Sequence, residues 1–179
     1  MSILARLDPE LAPVVEAIPP EGLFDLRDIP GARAQAKEML AALAAQLPPL
    51  PVDVQITNHE APGPDGAPAV RVRVYTPQGH SAPLPALLWI HGGGYVLGSV
   101  EMEDHRLAEL ARTIPCIVAS VEYRLAPEHP FPAPLDDCYA GLRWMHREAD
   151  SLGVDASRIA IGRASAERLA EWHLLPRGG

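Results

Sequence analysis

The sequence predicts an α/β domain: an open, largely parallel sheet with an antiparallel start and helices on both faces. Three observations carry this. Apolar residues alternate with polar ones in two early segments; three later runs are apolar without a break, as strands covered on both faces are; and helical spacing fills the gaps between those runs.

Two helices precede any strand. Asp8 and Pro9 occupy N-cap and first-turn positions ahead of Leu11, Val14, Val15 and Ile18 at helical spacing, and Pro19-Pro20 ends that run. Past "EGLFDLRDIPG", Ala32, Ala36, Met39, Leu40, Leu43 and Leu47 recur at three and four residues, giving a second helix closed by Pro48-Pro49. From Val52 the period becomes two. Val52, Val54 and Ile56 alternate with polar residues, and after the turn-rich "APGPDGAP" so do Val70, Val72 and Val74, which reads as an antiparallel pair with one solvated face.

The unbroken runs are "ALLWI" (86 to 90), "CIVASV" (116 to 121) and "IAI" (159 to 161). Between them, residues 103 to 113 place Leu107, Leu110 and Ala111 on one side. Residues 134 to 149 place Leu135, Cys138, Tyr139, Leu142 and Met145 on one face, with Asp136 and Asp137 in the favourable first turn. The predicted order is β-β-β-α-β-α-β, consistent with right-handed crossovers.

Composition narrows the function. Of 179 residues, 47% are hydrophobic and 21% charged, and the formal charge of -8 disfavours nucleic acid or an anionic membrane as partner. No stretch reaches the ~18 apolar residues of a membrane span. Two cysteines, Cys116 and Cys138, suit buried thiols in a reducing, cytoplasmic setting. Seven histidines form no ligand-spaced pair, so neither a metal nor a cofactor is expected.

The chemistry-bearing motif follows "ALLWI" directly: "HGGGYVLGS", His91 to Ser99. Without Cβ atoms, the peptide units of Gly92, Gly93 and Gly94 can turn their N–H groups outward and let a ligand approach the backbone. A flexible loop, a phosphate cradle and an oxyanion-binding loop all fit three glycines; dinucleotide spacing is not met.

"HGGGYVLGS", "SVEYRLAPEHPFPAPLDDCYAGLRWM" and "DASRIAIG" together resemble the hormone-sensitive-lipase-like group of α/β-hydrolases, carboxylesterases with an H-G-G-G oxyanion motif. The resemblance runs from about Val52 to Ser165. It implies that residues 1–50 belong to a substrate cap, that 51–179 form an incomplete hydrolase core, and that the substrate is a small ester. Ser165 would be the nucleophile. Gly92 and Gly93, with Ala166 after the serine, would give oxyanion-hole N–H groups, while His91 and Gly94 orient the loop. Tyr123, Arg124, Glu128 and His129 would make polar contacts around the turn after the fourth strand.

The serine itself is ambiguous. In the family's G-x-S-x-G elbow two glycines relieve a sharp strand-to-helix turn, and here those places hold Arg163 and Glu167. Ser165 as N-cap of "AERLAEWHLL", with Leu169 and Trp172 or His173 on the buried side, is an equally open reading. The family's acid and base follow the serine on later loops, and the chain given ends at Gly179, so it reads as C-terminally truncated, a frameshift near codon 163 being one origin. On a helix His173 would lie about 12 Å along the axis from Ser165, too far to serve as base. The expectation is therefore an ester hydrolase by resemblance with weak or no activity of its own. Its alternatives are a non-catalytic small-molecule binder or a non-functional product, and the "IAI" strand, left as a sheet edge, invites self-association.

Overall fold

The computed structural model describes residues 8–10, 12–16, 24–64, 66–80 and 83–164. The chain divides into two compact units, residues 1–45 and 46–179.

In the first unit α1 spans Ala12–Glu16 and α2 spans Ile29–Ala44. The Asp8 carboxylate accepts from the Glu10 N–H at 2.9 Å, closing a turn ahead of α1, so the helix begins later than Asp8-Pro9 suggests. α2 begins three residues earlier than its apolar spacing does. Asp28 caps it by accepting from the Gly31 N–H at 3.1 Å, and Pro30 sits in the first turn, where its missing N–H costs nothing. Of the predicted apolar face only Ala32 and Ala36 are buried, while Met39, Leu43 and Leu47 are exposed.

The second unit runs β1 (Val54–Ala61), β2 (Val70–Pro77), β3 (Leu84–Ile90), a 3-10 helix (Val100–Glu103), α3 (Asp104–Thr113), β4 (Ile117–Val121), α4 (Ala133–Arg147), α5 (Ala149–Leu152) and β5 (Val154–Arg163). Its order of strands and helices is the one the changing period predicts. Val52 does not join β1: the Val54 N–H donates to the Pro51 carbonyl, closing a turn that leaves Val52 93% exposed.

The sheet order is β1-β2-β4-β3-β5. β1 and β2 are antiparallel, β2 is antiparallel to β4, and β3 is parallel to both β4 and β5. β2 therefore lies inside the sheet and is covered on both faces, so the solvated face of the first pair is confined to β1. After β3 the chain steps one way to β4 and then back past β3 to β5. Two right-handed crossovers in opposite directions must put their helices on opposite faces. Accordingly Leu107, Ala108 and Ala111 of α3 pack with Tyr75, Trp89 and Val118. Cys138, Trp144 and Met145 of α4 pack with Val72, Leu88, Ile90 and Val121 on the other side. Full burial of such aliphatic side chains stabilises the fold by roughly 1.5–3 kcal/mol each. β5 pairs with β3 alone among the described residues, and Ile159, Ala160 and Ile161 stay partly or fully exposed there, as an edge strand's would.

The face of α4 departs from its sequence reading. Tyr139 points outward, 48% exposed, whereas Asp137 is fully buried. Gly141 lets the helix approach β4: a Cβ there would stand 2.8 Å from Cγ2 of Val121. Asp137 is not a macrodipole residue but half of an ion pair. Its two oxygens accept from Nε and Nη2 of Arg124, both at 2.8 Å, and Oδ2 also accepts from the Arg124 N–H at 2.9 Å. This joins the segment after β4 to α4.

Removing one member of a buried pair strands the other's charge. Asp137→Ala is expected to lower unfolding stability by about 3 kcal/mol, the smaller end of the range because Arg124 reaches solvent. Urea denaturation of the two proteins measures it, and a loss below about 1 kcal/mol would show the pair to be no stronger than a surface one.

Candidate active site

The carboxyl ends of β3, β4 and β5 lie side by side, which is where parallel sheets place their ligand sites. Each strand delivers one segment there. β3 delivers the glycine loop 91–99, β4 the segment 122–132, and β5 ends at Arg163 with Ala164 next to it. The Ala164 N–H donates to the Ile90 carbonyl at 3.1 Å, so residue 164 is level with the start of the glycine loop.

The loop is a tight fold of backbone on itself. The Gly93 carbonyl accepts from the N–H groups of Val96 and Leu97 at 3.2 and 2.9 Å. Gly93 has φ 130°, Gly94 62° and Gly98 103°, all in the region that favours glycine, and Tyr95 between them has φ 65°. The demands on the glycines differ. A Cβ on Gly93 would run into the Leu97 carbonyl and one on Gly98 into the Gly92 carbonyl and the His91 ring, while Gly94 faces open space. The N–H groups of Gly92, Gly93 and Gly94 form no hydrogen bond among the described residues, with Gly94 exposed and the other two partly so. They are free to donate to an anion or a polarised carbonyl.

His91 is buried at 1% exposure and stacks on Tyr123, ring centroids 4.1 Å apart and planes 11° from parallel. Its Nδ1 donates to the Gly92 carbonyl at 2.9 Å, which leaves Nε2 as the bare nitrogen, without a partner among the described residues. Burial pushes the imidazole below its ordinary pKa, against the opposing pull of the Gly92 carbonyl and the Glu122 and Glu101 carboxylates. One ring nitrogen is thus committed to the loop and the other is enclosed.

Beneath the loop's far end lies a charge network that the sequence did not announce. Arg71 on β2 donates to Glu101 at 2.6 Å and to Glu122 at 2.9 Å, and Glu122 Oε2 also accepts from the Val100 N–H at 2.9 Å. The one signal in the sequence is a carboxylate placed directly after a five-residue strand that is wholly buried. The Arg71 guanidinium holds Glu101 down at about 2. Next to this, Arg73 pairs bidentately with Asp104 at 2.8 Å and Tyr75 Oη donates to Asp104 at 2.7 Å, fixing the start of α3 on β2.

Of the residues marked from sequence, the structure gathers His91, Gly92, Gly93 and Gly94 at one place. Ser165 and Ala166, and with them Glu167, Leu169, Trp172 and His173, lie outside the described residues. Tyr123 reaches the glycine loop, its Oη donating to the His91 carbonyl at 2.8 Å. His129 is exposed, and its N–H donates to the Leu125 carbonyl at 2.9 Å. Cys116 is buried with its thiol pushed above the ordinary range by that burial, which makes it a poor nucleophile.

Comparison with known proteins agrees with this geometry. Residues 87–166 match a family model described as an alpha/beta hydrolase fold. Carboxylesterase NlhH of Mycobacterium tuberculosis is 38% identical over 161 residues, covering 88% of this chain and 49% of the relative. Among solved structures, a bacterial heroin esterase superposes with TM-score 0.85 at 43% identity, covering 94% of this chain and 52% of the other. An esterase of Pyrobaculum calidifontis gives TM-score 0.78 at 35% identity, covering 92% and 51%. The chain spans about half the length of the curated relatives it matches.

Two outcomes follow from the loop. Gly93→Ala is expected to lower the melting temperature clearly more than Gly94→Ala, since only the first adds a backbone clash to the positive φ; equal effects would mean the loop relaxes freely. Second, a pKa held below the ordinary 4.5 means that Glu101 contributes stability in full above that value and loses it as the pH falls through about 2. The stability gap between the protein and Glu101→Gln should therefore narrow from pH 4.5 down to about 2. Because Glu101 is partly exposed, salt should shrink the gap. Melting curves across that range at low and high salt check both points, and a gap constant with pH would contradict the first.

Proposed function

The chain belongs to the α/β-hydrolase family, and from that membership we propose that it carries the oxyanion-binding and nucleophile-bearing part of a carboxylic ester hydrolase acting on short- to medium-chain acyl esters. The observation that carries the reading is the set of unengaged N–H groups on Gly92, Gly93 and Gly94, at the carboxyl end of β3 and level with Ala164. In this reading Ser165 attacks the ester carbonyl. The N–H groups of Gly92 and Gly93, with that of Ala166, receive the negative charge that develops on the carbonyl oxygen, and His91 and Gly94 hold the loop in place.

A serine hydroxyl needs a base to take its proton. Neither the histidine that opens the loop nor that of the β4–α4 segment fits that part: His91 is enclosed with Nδ1 engaged, and His129 is exposed. We therefore assign this chain on its own weak activity or none. The same observation favours one alternative, a protein that binds a small ester or acid at the loop without turning it over. Residues 1–50 fit a substrate cap in this reading, and the exposed apolar run of β5 a surface for self-association. No helix among the described residues is long and apolar enough to cross a membrane, and the two buried thiols fit a cytoplasmic setting.

Loss of general-base assistance costs on the order of 10²–10⁴ in rate against a usual kcat of about 10 s⁻¹, so hydrolysis of a short-chain aryl ester is expected on the order of 10⁻¹ s⁻¹ or below. Ser165→Ala should bring that remainder to the buffer rate. Turnover at ordinary enzymatic speed would sink the assignment of weak activity or none. Residual turnover indifferent to Ser165→Ala would remove the serine from its role, and saturable binding with no turnover would favour the binding reading.

A further inference from the structure

The glycine loop closes on its own Gly93 carbonyl, and from outside it is gripped at three points by one short neighbouring segment. Tyr123 Oη donates to the His91 carbonyl at the loop's entry, at 2.8 Å. The Ala126 N–H donates to the Tyr95 carbonyl at its middle, at 2.9 Å. Glu122 Oε2 accepts from the Val100 N–H at its exit, at 2.9 Å. We infer that residues 122–126 act as a template that sets the direction of the Gly92 and Gly93 N–H groups, with Glu122 and Tyr123 as its positioning residues. This rests on the reading of the loop as an oxyanion-binding element.

The chain geometry explains why two consecutive residues can hold both ends. β4 is parallel to β3 and paired with it through Ile90↔Val121, so the residues just past Val121 emerge beside His91. Glu122 does not face the His91 ring stack; it extends toward Arg71 and the 3-10 helix, while Tyr123 packs its ring under His91. The Glu122 backbone is itself fixed, its N–H donating to the Arg71 carbonyl at 2.9 Å. Arg71 then holds the Glu122 side chain from below at 2.9 Å and ties it to Glu101. Entry and exit are thus fastened to the same rigid strand end. A loop pinned only at its strand end could rotate its peptide planes; one pinned at entry, middle and exit cannot do so without breaking a bond.

Backbone amide exchange reads this without requiring catalysis. In Tyr123→Phe and Glu122→Ala, exchange of the Val96 and Leu97 amides, which close the loop onto the Gly93 carbonyl, should rise by about tenfold, the equivalent of one lost hydrogen bond, while Leu88 and Ala119 in the β3–β4 ladder hold their protection. Glu122→Gln should restore most of the protection, because its amide oxygen can still accept from Val100. Unchanged exchange of Val96 and Leu97, an equal rise in loop and ladder, or Val96 and Leu97 amides already unprotected in the unaltered chain would each overturn the inference. Where Ser165-dependent ester turnover is measurable, the same variants should lower kcat and leave KM in place. A chain with no turnover counts against the proposed activity alone, since the exchange measurement stands apart from it.

Discussion

β3 has a parallel partner on each side, and the architecture of the candidate site follows from that position. With β4 to one side and β5 to the other, the crossovers must run in opposite directions and lay α3 and α4 on opposite faces. Both faces of β3 are then covered, which is why "ALLWI" is unbroken: Ala86, Leu88 and Ile90 pack toward α4 while Leu87 and Trp89 pack toward α3. The same position brings three strand ends together and seats the glycine loop between the segments leaving β4 and β5. Outward-facing peptide groups cost little there because the strand beneath them is immobilised on every side.

Much of this was legible because it is periodic. Alternation marks β1 and β2, unbroken apolarity marks β3 and β4, and the loop's glycines announce a backbone that does something side chains would prevent. What escaped is what periodicity does not encode. Asp137 reads as a helix-start carboxylate until α4 is rotated onto β4 by Gly141, after which it can only be a buried partner for Arg124. Arg71, Glu101 and Glu122 are far apart along the chain and meet only once β2 and β4 are paired. Tyr139 fits the helical stripe by spacing, but α4 packs through the smaller Cys138, Ala140 and Gly141, and the larger ring is turned out.

Electrostatics at the site divides in two. Around the loop's exit, charges are numerous and matched: Arg71 with Glu101 and Glu122, Arg73 with Asp104. Within the loop itself, Gly92 to Ser99, there is no ionisable acid or base, and burial pushes the pKa of His91 at its entry below the ordinary value. For holding a developing oxyanion this separation is useful. A cation beside the glycines would bind acids and products as readily as the transition state, whereas fixed N–H dipoles act where charge appears.

The strand register also alters the objection raised by Arg163. By motif, Arg163 stands where an elbow glycine would relieve the turn. In the structure it is still part of β5, opposite Ile90, and Ala164 continues the contact through its N–H to the Ile90 carbonyl. The Arg163 side chain is thus that of a strand residue, partly buried at the end of β5. A close approach needing a glycine falls one position earlier: a Cβ on Gly162 would stand 3.0 Å from the Trp89 ring, over which the Arg106 guanidinium also lies, 4.5 Å from the centroid. Gly162 thus lets β5 lie flat against β3 and bring Ala164 level with the glycine loop.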